Sequence, residues 1–330
     1  MAARRLGRGR AVNDALGADR IDTVRRSPGG AQRRRLDSAR WHFQHGPIDC
    51  VVGVEGDAAA VARALDDAWR RFETLLAKLV AELPLLRADL ASPGGAAVAP
   101  RGVVARRMVE ACRPHARGGR FVTAMAAVAG SVADELIAGF DRPGIARASV
   151  NNGGDIALYL AAGSSYDVGL VADTSRARCG LPPEARFRVD AASGVRGIAT
   201  SGWRGRSFSL GIADSVTVLA ATASAADAAA TMIANAVDAD HPGIRRQPAC
   251  ELRDDTDLGA RLVTVAVPAL PPEVVERALA AGLAEAHAQL GAGRIAAVAL
   301  CLQGRMRRCA HGSAFDTLAA RPQSIAPAFS

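Results

Sequence analysis

What most constrains this chain is the order in which its strand-like and helix-like segments follow one another. Apolar residues recur at helical spacing over 57–83 (Val61, Leu65, Ala68, Phe72, Leu75, Leu76 and Leu79), and Pro84 stops the run. Helices are expected near 102–115 and 123–139, the second carrying Met125, Val128, Val132 and Leu136 on one stripe. Beyond residue 145 the texture changes. Strand-like runs are expected at 148–150, 156–160, 166–171, 185–190, 195–199, 215–220, 262–267 and 294–302, with helices at 225–237 and 272–290. Residues 41–52 read as a hairpin around Gly46-Pro47, and 161–165 as the loop of a second hairpin. This is not strict βαβ alternation. It predicts an α/β chain of the α+β kind, with mixed, largely antiparallel sheets packed by helices. No G-x-G-x-x-G follows a strand and no Walker A sequence occurs, so neither common phosphate-loop fold is indicated.

Charge divides the chain unevenly. The net charge is +8, yet residues 1–40 hold eleven Arg and four Asp, which leaves +1 for 41–330. Residues 1–35 lack any period and are expected to form a disordered Arg-rich tail, with 36–330 as a single domain. A nearly neutral domain is a poor nucleic-acid binder, so no nucleic acid is expected for the domain. The tail alone suits an acidic surface. The hydrophobic fraction of 49% belongs to a globular protein, and its low aromatic content of 4% requires a core of small aliphatic side chains. Cys50, Cys112, Cys179, Cys250, Cys301 and Cys309 form no C-x-x-C pair and are expected to be buried thiols in a reducing compartment. No apolar stretch follows Arg4-Arg5 and no run spans a bilayer, so a cytoplasmic protein off the membrane is expected, with oligomerisation open.

Three stretches offer chemistry. Asn151-Asn152-Gly153-Gly154-Asp155 lies between two strands. Its glycines permit positive φ, and their N–H groups with Asn152 suit an anion while Asp155 suits a ribose or ring N–H. A plain tight turn explains the same residues. Thr200-Ser201-Gly202 ends a strand with two hydroxyls and a bare N–H, and Arg204 and Arg206 follow within reach of phosphate oxygens. A polar turn with solvated arginines is the other reading. Asp227 and Thr231 stand four apart on an expected helix and share a face, which suits a hard cation such as magnesium. Against this, Ser224 three residues before Asp227 resembles a capping box. His42 and His45 point to opposite faces of one strand and make a poor metal pair.

In order and surroundings, these three stretches resemble the ApbE-like superfamily, best known for magnesium-dependent FAD:protein FMN transferases. The likeness runs over about 40–330 and is closest to a short branch of it. It is carried also by Gln44-His45-Gly46-Pro47-Ile48-Asp49 and by the line from Met125 to Asp134. The resemblance implies that Asn152, Gly153, Gly154 and Asp155 line a flavin nucleotide pocket with Thr200, Ser201 and Gly202. It implies that Asp227 and Thr231 hold magnesium near a diphosphate, that Asp134 closes a helix element, and that a partner protein's Thr or Ser accepts FMN. Arg204 or Arg206 would add a cation at the phosphates. Two positions depart from the transferases: Ala129 stands where they carry Lys, and 203–215 holds no His. The chain therefore reads as a binder of a flavin or related nucleotide (FAD or another) with magnesium, either an FMN transferase or a non-catalytic accessory protein on the same scaffold.

Overall fold

The computed structural model describes residues 25–26, 30–170 and 185–310. Its strands are β1 (Arg25–Arg26), β2 (Gln32–Arg35), β3 (Arg40–His45), β4 (Ile48–Gly56), β5 (Ile145–Asn152), β6 (Asp155–Leu160), β7 (Ser165–Leu170), β8 (Ala185–Asp190), β9 (Gly197–Ser201), β10 (Ser215–Ala220), β11 (Arg245–Pro248), β12 (Leu262–Ala266), β13 (Ala297–Leu302) and β14 (Arg305–Ala310). Its α-helices are α1 (Ala58–Ala81), α2 (Leu83–Leu86), α3 (Pro93–Ala96), α4 (Val103–Cys112), α5 (Val128–Ile137), α6 (Ala223–Ala236), α7 (Ala249–Leu252) and α8 (Pro272–Gly291).

Ten strands form one sheet in the order β1-β2-β3-β4-β5-β6-β9-β10-β13-β14, antiparallel at each described pairing. The sheet confirms the mixed, largely antiparallel architecture. Helix α1 forms where the apolar period predicts it, burying Leu65, Trp69, Phe72, Leu75 and Leu79. Phe43 on β3 meets the Trp69 and Phe72 rings at centroid distances of 5.4 Å each, one of them edge-on. This core lies between the helices and β2–β6. A second lies between α6, α8 and strands β9, β10 and β13. A third occupies the opposite face of the sheet, where Phe187 and Val189 of β8 cover Leu158, Leu160, Ile198 and Leu219.

That third core corrects one expectation. The loop at 161–165 does not join a hairpin of β6 and β7. The chain turns out of the sheet, and β7 pairs with β8 as a separate ribbon. The free side of β6 is taken by β9, and laying the ribbon over Leu158 and Leu160 buries apolar surface on both. The expected tail boundary also shifts. β2 pairs with β3 over four residues, and Arg33 reaches Asp66 on α1 at 2.8 Å, so the sheet already includes residues assigned to the tail. Residues 1–24 and 27–29 lie outside the described residues.

Of the cysteines, Cys50, Cys112 and Cys301 are buried as expected, whereas Cys250 is exposed and Cys309 is half-buried. Cys179 lies outside the described residues. No described helix is long and apolar enough to cross a membrane.

Candidate functional site

Asn152 and Asp155 face each other across the end of the β5–β6 hairpin. Gly153 and Gly154 form its two-residue turn with φ of 71° and 115°, the positive values that primed hairpin turns demand. The N–H of Gly154 donates to Asn151 Oδ1 at 2.8 Å. The stretch is thus a tight turn first, and one N–H of the expected anion nest is already taken. Asn152 points the other way and donates to the Ala129 carbonyl at 3.1 Å, tying the hairpin to the first turn of α5.

The pairing of β6 with β9 covers only Ile156–Ile198 and Ala157–Gly197. The two strands part at Asp155, and the candidate site is the gap between them. From β9, the N–H of Thr200 donates to Asp155 Oδ1 at 3.3 Å. The Thr200 hydroxyl is engaged elsewhere, with Thr217 Oγ1 at 2.9 Å. Gly202 is needed for a close crossing: a Cβ there would lie 2.4 Å from the Asp214 carbonyl oxygen. T-S-G therefore supplies an N–H and a tight return to the site; Ser201 stays half-buried beside it.

Asp227 arrives from α6. It does not cap its own helix, so the Ser224–Asp227 capping box does not form. Thr222 is the N-cap, accepting from the Ala225 N–H at 3.2 Å, and Asp134 of α5 accepts from the N–H groups of Ala223 and Ser224 at 3.0 and 2.9 Å. Asp227 turns instead to the start of α5, where its Oδ2 accepts from the Gly130 N–H at 2.9 Å. Gly130 permits this closeness, because a Cβ there would lie 2.3 Å from the Ala223 carbonyl oxygen. Thr231, one turn beyond Asp227, is half-buried.

Asp155 and Asp227 are close enough for the Asp155 charge to act on Asp227. Burial pushes Asp155 up to about 7, opposed by the Thr200 N–H and the Arg206 guanidinium. Burial raises Asp227 well above the carboxylate range, and the Asp155 charge raises it further, against the N–H groups of Gly130 and Ala129. Two buried thiols lie in the same region. Cys50 is raised by burial, with Arg206 opposing, and Cys112 by burial followed by the charges of Asp227 and Asp257. Asp257 comes from the loop after α7 and hydrogen-bonds Thr123. Nothing in its local sequence singles it out.

The arginines divide. Arg204 lies 3.7 Å from Asp214 and 4.9 Å over the Trp203 ring, whereas Arg206 lies against Gly153. No group of three or more His, Cys, Asp or Glu suited to a metal occurs among the described residues. His42 pairs with Asp49 at 2.8 Å, and His45 sits by Phe72 with its Nδ1 unpartnered. Two depressions lie elsewhere. One of about 340 Å³ is lined by Arg107, Asp134, Asp141, Tyr159, Arg196 and Thr222, and one of about 110 Å³ by Arg71, Lys78, Glu82 and neighbouring aliphatics. Neither contains the acid pair.

Known proteins can be set beside this geometry. UPF0280 proteins are similar to the chain: that of Methanopyrus kandleri is 40% identical over 153 residues, covering 46% of this chain and 56% of the relative. That of Methanosphaerula palustris is 38% identical over 130 residues, covering 39% and 51%. The matches thus span about half the length of these relatives. Among solved structures, the apo flavinyl transferase ApbE of Pseudomonas stutzeri is similar with a TM-score of 0.38 at 14% identity, covering 85% of this chain and 98% of that one. A family model described as AbpE bacteria matches residues 32–308. That match spans most of the chain, which belongs to this ApbE-like family.

Proposed function

We propose that this chain binds a flavin or related nucleotide together with a divalent cation, magnesium in the simplest case, in the crevice between β6 and β9. The observation that carries the reading is the meeting of Asp155, held by the Thr200 N–H, and Asp227, held at the first turn of α5, 72 positions apart in sequence. Two carboxylates brought together with burial raising both are a costly arrangement that a cation relieves. Asp227 is the principal candidate ligand, with Thr231 on the same helix face and Asp155 beside it. A cation there would neutralise phosphate charge, and magnesium needs few protein oxygens for that. The Gly153–Gly154 turn and the Ser201-Gly202 return form the walls for the nucleotide, and Asn152 holds the wall to α5.

Binding without transfer is the favoured form of this reading. Ala129 stands at the cationic position of the transferases, and 203–215 supplies no imidazole. The second form is FMN transfer. There a hydroxyl of an acceptor protein displaces AMP at the FMN phosphorus, with its proton passing to solvent or to a carboxylate of the crevice.

Calorimetric titration with FAD, with magnesium and with EDTA, tests the reading. Magnesium-dependent FAD binding, lost in Asp227→Ala while the protein stays folded, is the expected result. No FAD binding by the wild-type chain at any magnesium concentration would refute it. Release of AMP on adding FAD and acceptor protein would establish transfer.

A further inference from the structure

Arg206 differs from the other charged side chains around the crevice. It lies on the loop returning from β9 to β10 and is exposed. Its guanidinium is seated on the hairpin turn: a Cβ at Gly153 would be 1.6 Å from Nη2, 2.5 Å from Cζ and 3.1 Å from Nε. Gly153 is thus glycine for two reasons, its φ of 71° and the space its missing side chain leaves. Arg206 makes no hydrogen bond or ion pair with the described residues. Its field nevertheless reaches inward, opposing the effect of burial at both Asp155 and Cys50. Arg204, two residues earlier, is committed to Asp214 and Trp203.

A guanidinium held over a glycine turn, with no carboxylate of its own, is an open fork for a planar or tetrahedral anion. Beneath it lie the acids Asp155 and Asp227, with the Asp134 charge acting on Asp227. An anion approaching them needs positive charge from the protein side.

We propose that Arg206 is the phosphate-receiving residue of this crevice, with Gly153 making room for it, so that the site selects phosphorylated ligands over their neutral counterparts. The proposal deepens the nucleotide reading above and rests on it for the class of ligand. It concerns a bond between ligand phosphate and the Arg206 N–H groups, with no covalent step.

The test is calorimetric titration of the full chain in magnesium buffer with three probes: FMN, riboflavin and inorganic pyrophosphate. Wild type is expected to bind FMN and pyrophosphate. Arg206→Gln should weaken both by about tenfold or more, the loss of one charge-assisted contact, while leaving riboflavin binding unchanged. Arg206→Lys should recover part of the affinity as a point charge without the fork. Gly153→Ala, whose methyl group displaces the guanidinium, should mimic Arg206→Gln. An Arg206→Gln protein of unchanged Tm that binds FMN and pyrophosphate as wild type does overturns the proposal. So does equal weakening of FMN and riboflavin, which would make Arg206 a shaping residue only. Arg206-dependent pyrophosphate binding without any flavin binding sinks the flavin reading and leaves this one standing. Wild type binding neither FMN nor pyrophosphate overturns it.

Discussion

Asp134 on α5 and Asp227 on α6 cap each other's helices: Asp134 accepts from the Ala223 and Ser224 N–H groups, and Asp227 from that of Gly130. Asp134→Ala removes both acceptors from the start of α6, and a lost cap costs about 0.5–2 kcal/mol. Asp227→Asn keeps an oxygen for the Gly130 N–H and removes a buried like charge beside Asp155. We expect a lower urea midpoint for the first variant and an equal or higher one for the second. A clear drop for Asp227→Asn would mean that its charge, and not merely its oxygen, holds the helix pair.

Asp155 gives the metal-free protein an unusual pH dependence. Its folded pKa, about 7, exceeds its unfolded value of 3.8, so the native state binds the proton more tightly. This contribution is full below pH 3.8 and is lost as pH rises through 7, at up to about 1.4 kcal/mol per unit. Asp155→Asn should flatten that slope in urea titrations from pH 5 to 8. Magnesium should restore stability at pH 8 in wild type only. An unchanged slope in the variant would assign the effect to another group.

His115 works in the opposite direction. It is buried against Gln289 at 3.3 Å, and burial, then Arg294, lowers it from 6.5 to about 4. The native state thus binds its proton less tightly than the unfolded chain. Stability is full above pH 6.5 and falls with pH down to about 4, by roughly 3 kcal/mol in all. His115→Gln should remove that acid loss. Wild type and variant following parallel curves between pH 4 and 6.5 would show that the ring titrates freely.

Gly130→Ala tests the helix crossing on which the site depends. The new methyl would meet the Ala223 carbonyl oxygen at 2.3 Å, a backbone atom with no room to turn aside. Separating α5 from α6 should cost about 1–3 kcal/mol and weaken the Asp227–Gly130 bond with it. The expected reading is a lowered Tm with FAD binding reduced further than the Tm alone explains. An unshifted Tm would show the helices can yield.

Much of the fold was legible because period and punctuation were unambiguous. The α1 stripe, the Gly46-Pro47 hairpin and the strands at 185–190 and 215–220 read directly from local pattern. Partnership was not legible. Nothing in 161–165 says that β7 leaves the sheet, since that depends on Phe187 and Val189 finding Leu158 and Leu160. β14 escaped notice because Arg305, Arg307 and Arg308 break its apolar alternation. At the candidate site, the motifs name candidates but do not reveal their bonds. Ser224 and Asp227 have capping-box spacing, yet the cap comes from Thr222 and Asp134, the latter 89 positions away from Ala223. Arg204 and Arg206 looked alike in sequence, and only the turn geometry separates them.

The strand order has a consequence for how the molecule assembles. β2 to β4 succeed one another through short turns and β5 and β6 form a hairpin, but β4 meets β5 only across residues 57–144, which carry α1 to α5, so the middle of the sheet closes a long loop. Asp155 opens β6 of that hairpin, and Asp227 lies on α6 further along the chain. The two acids meet only when α6 docks against α5 and the hairpin, so their repulsion opposes that docking. A bound cation, by cancelling it, would favour the docked arrangement of α6 and so stabilise the folded chain.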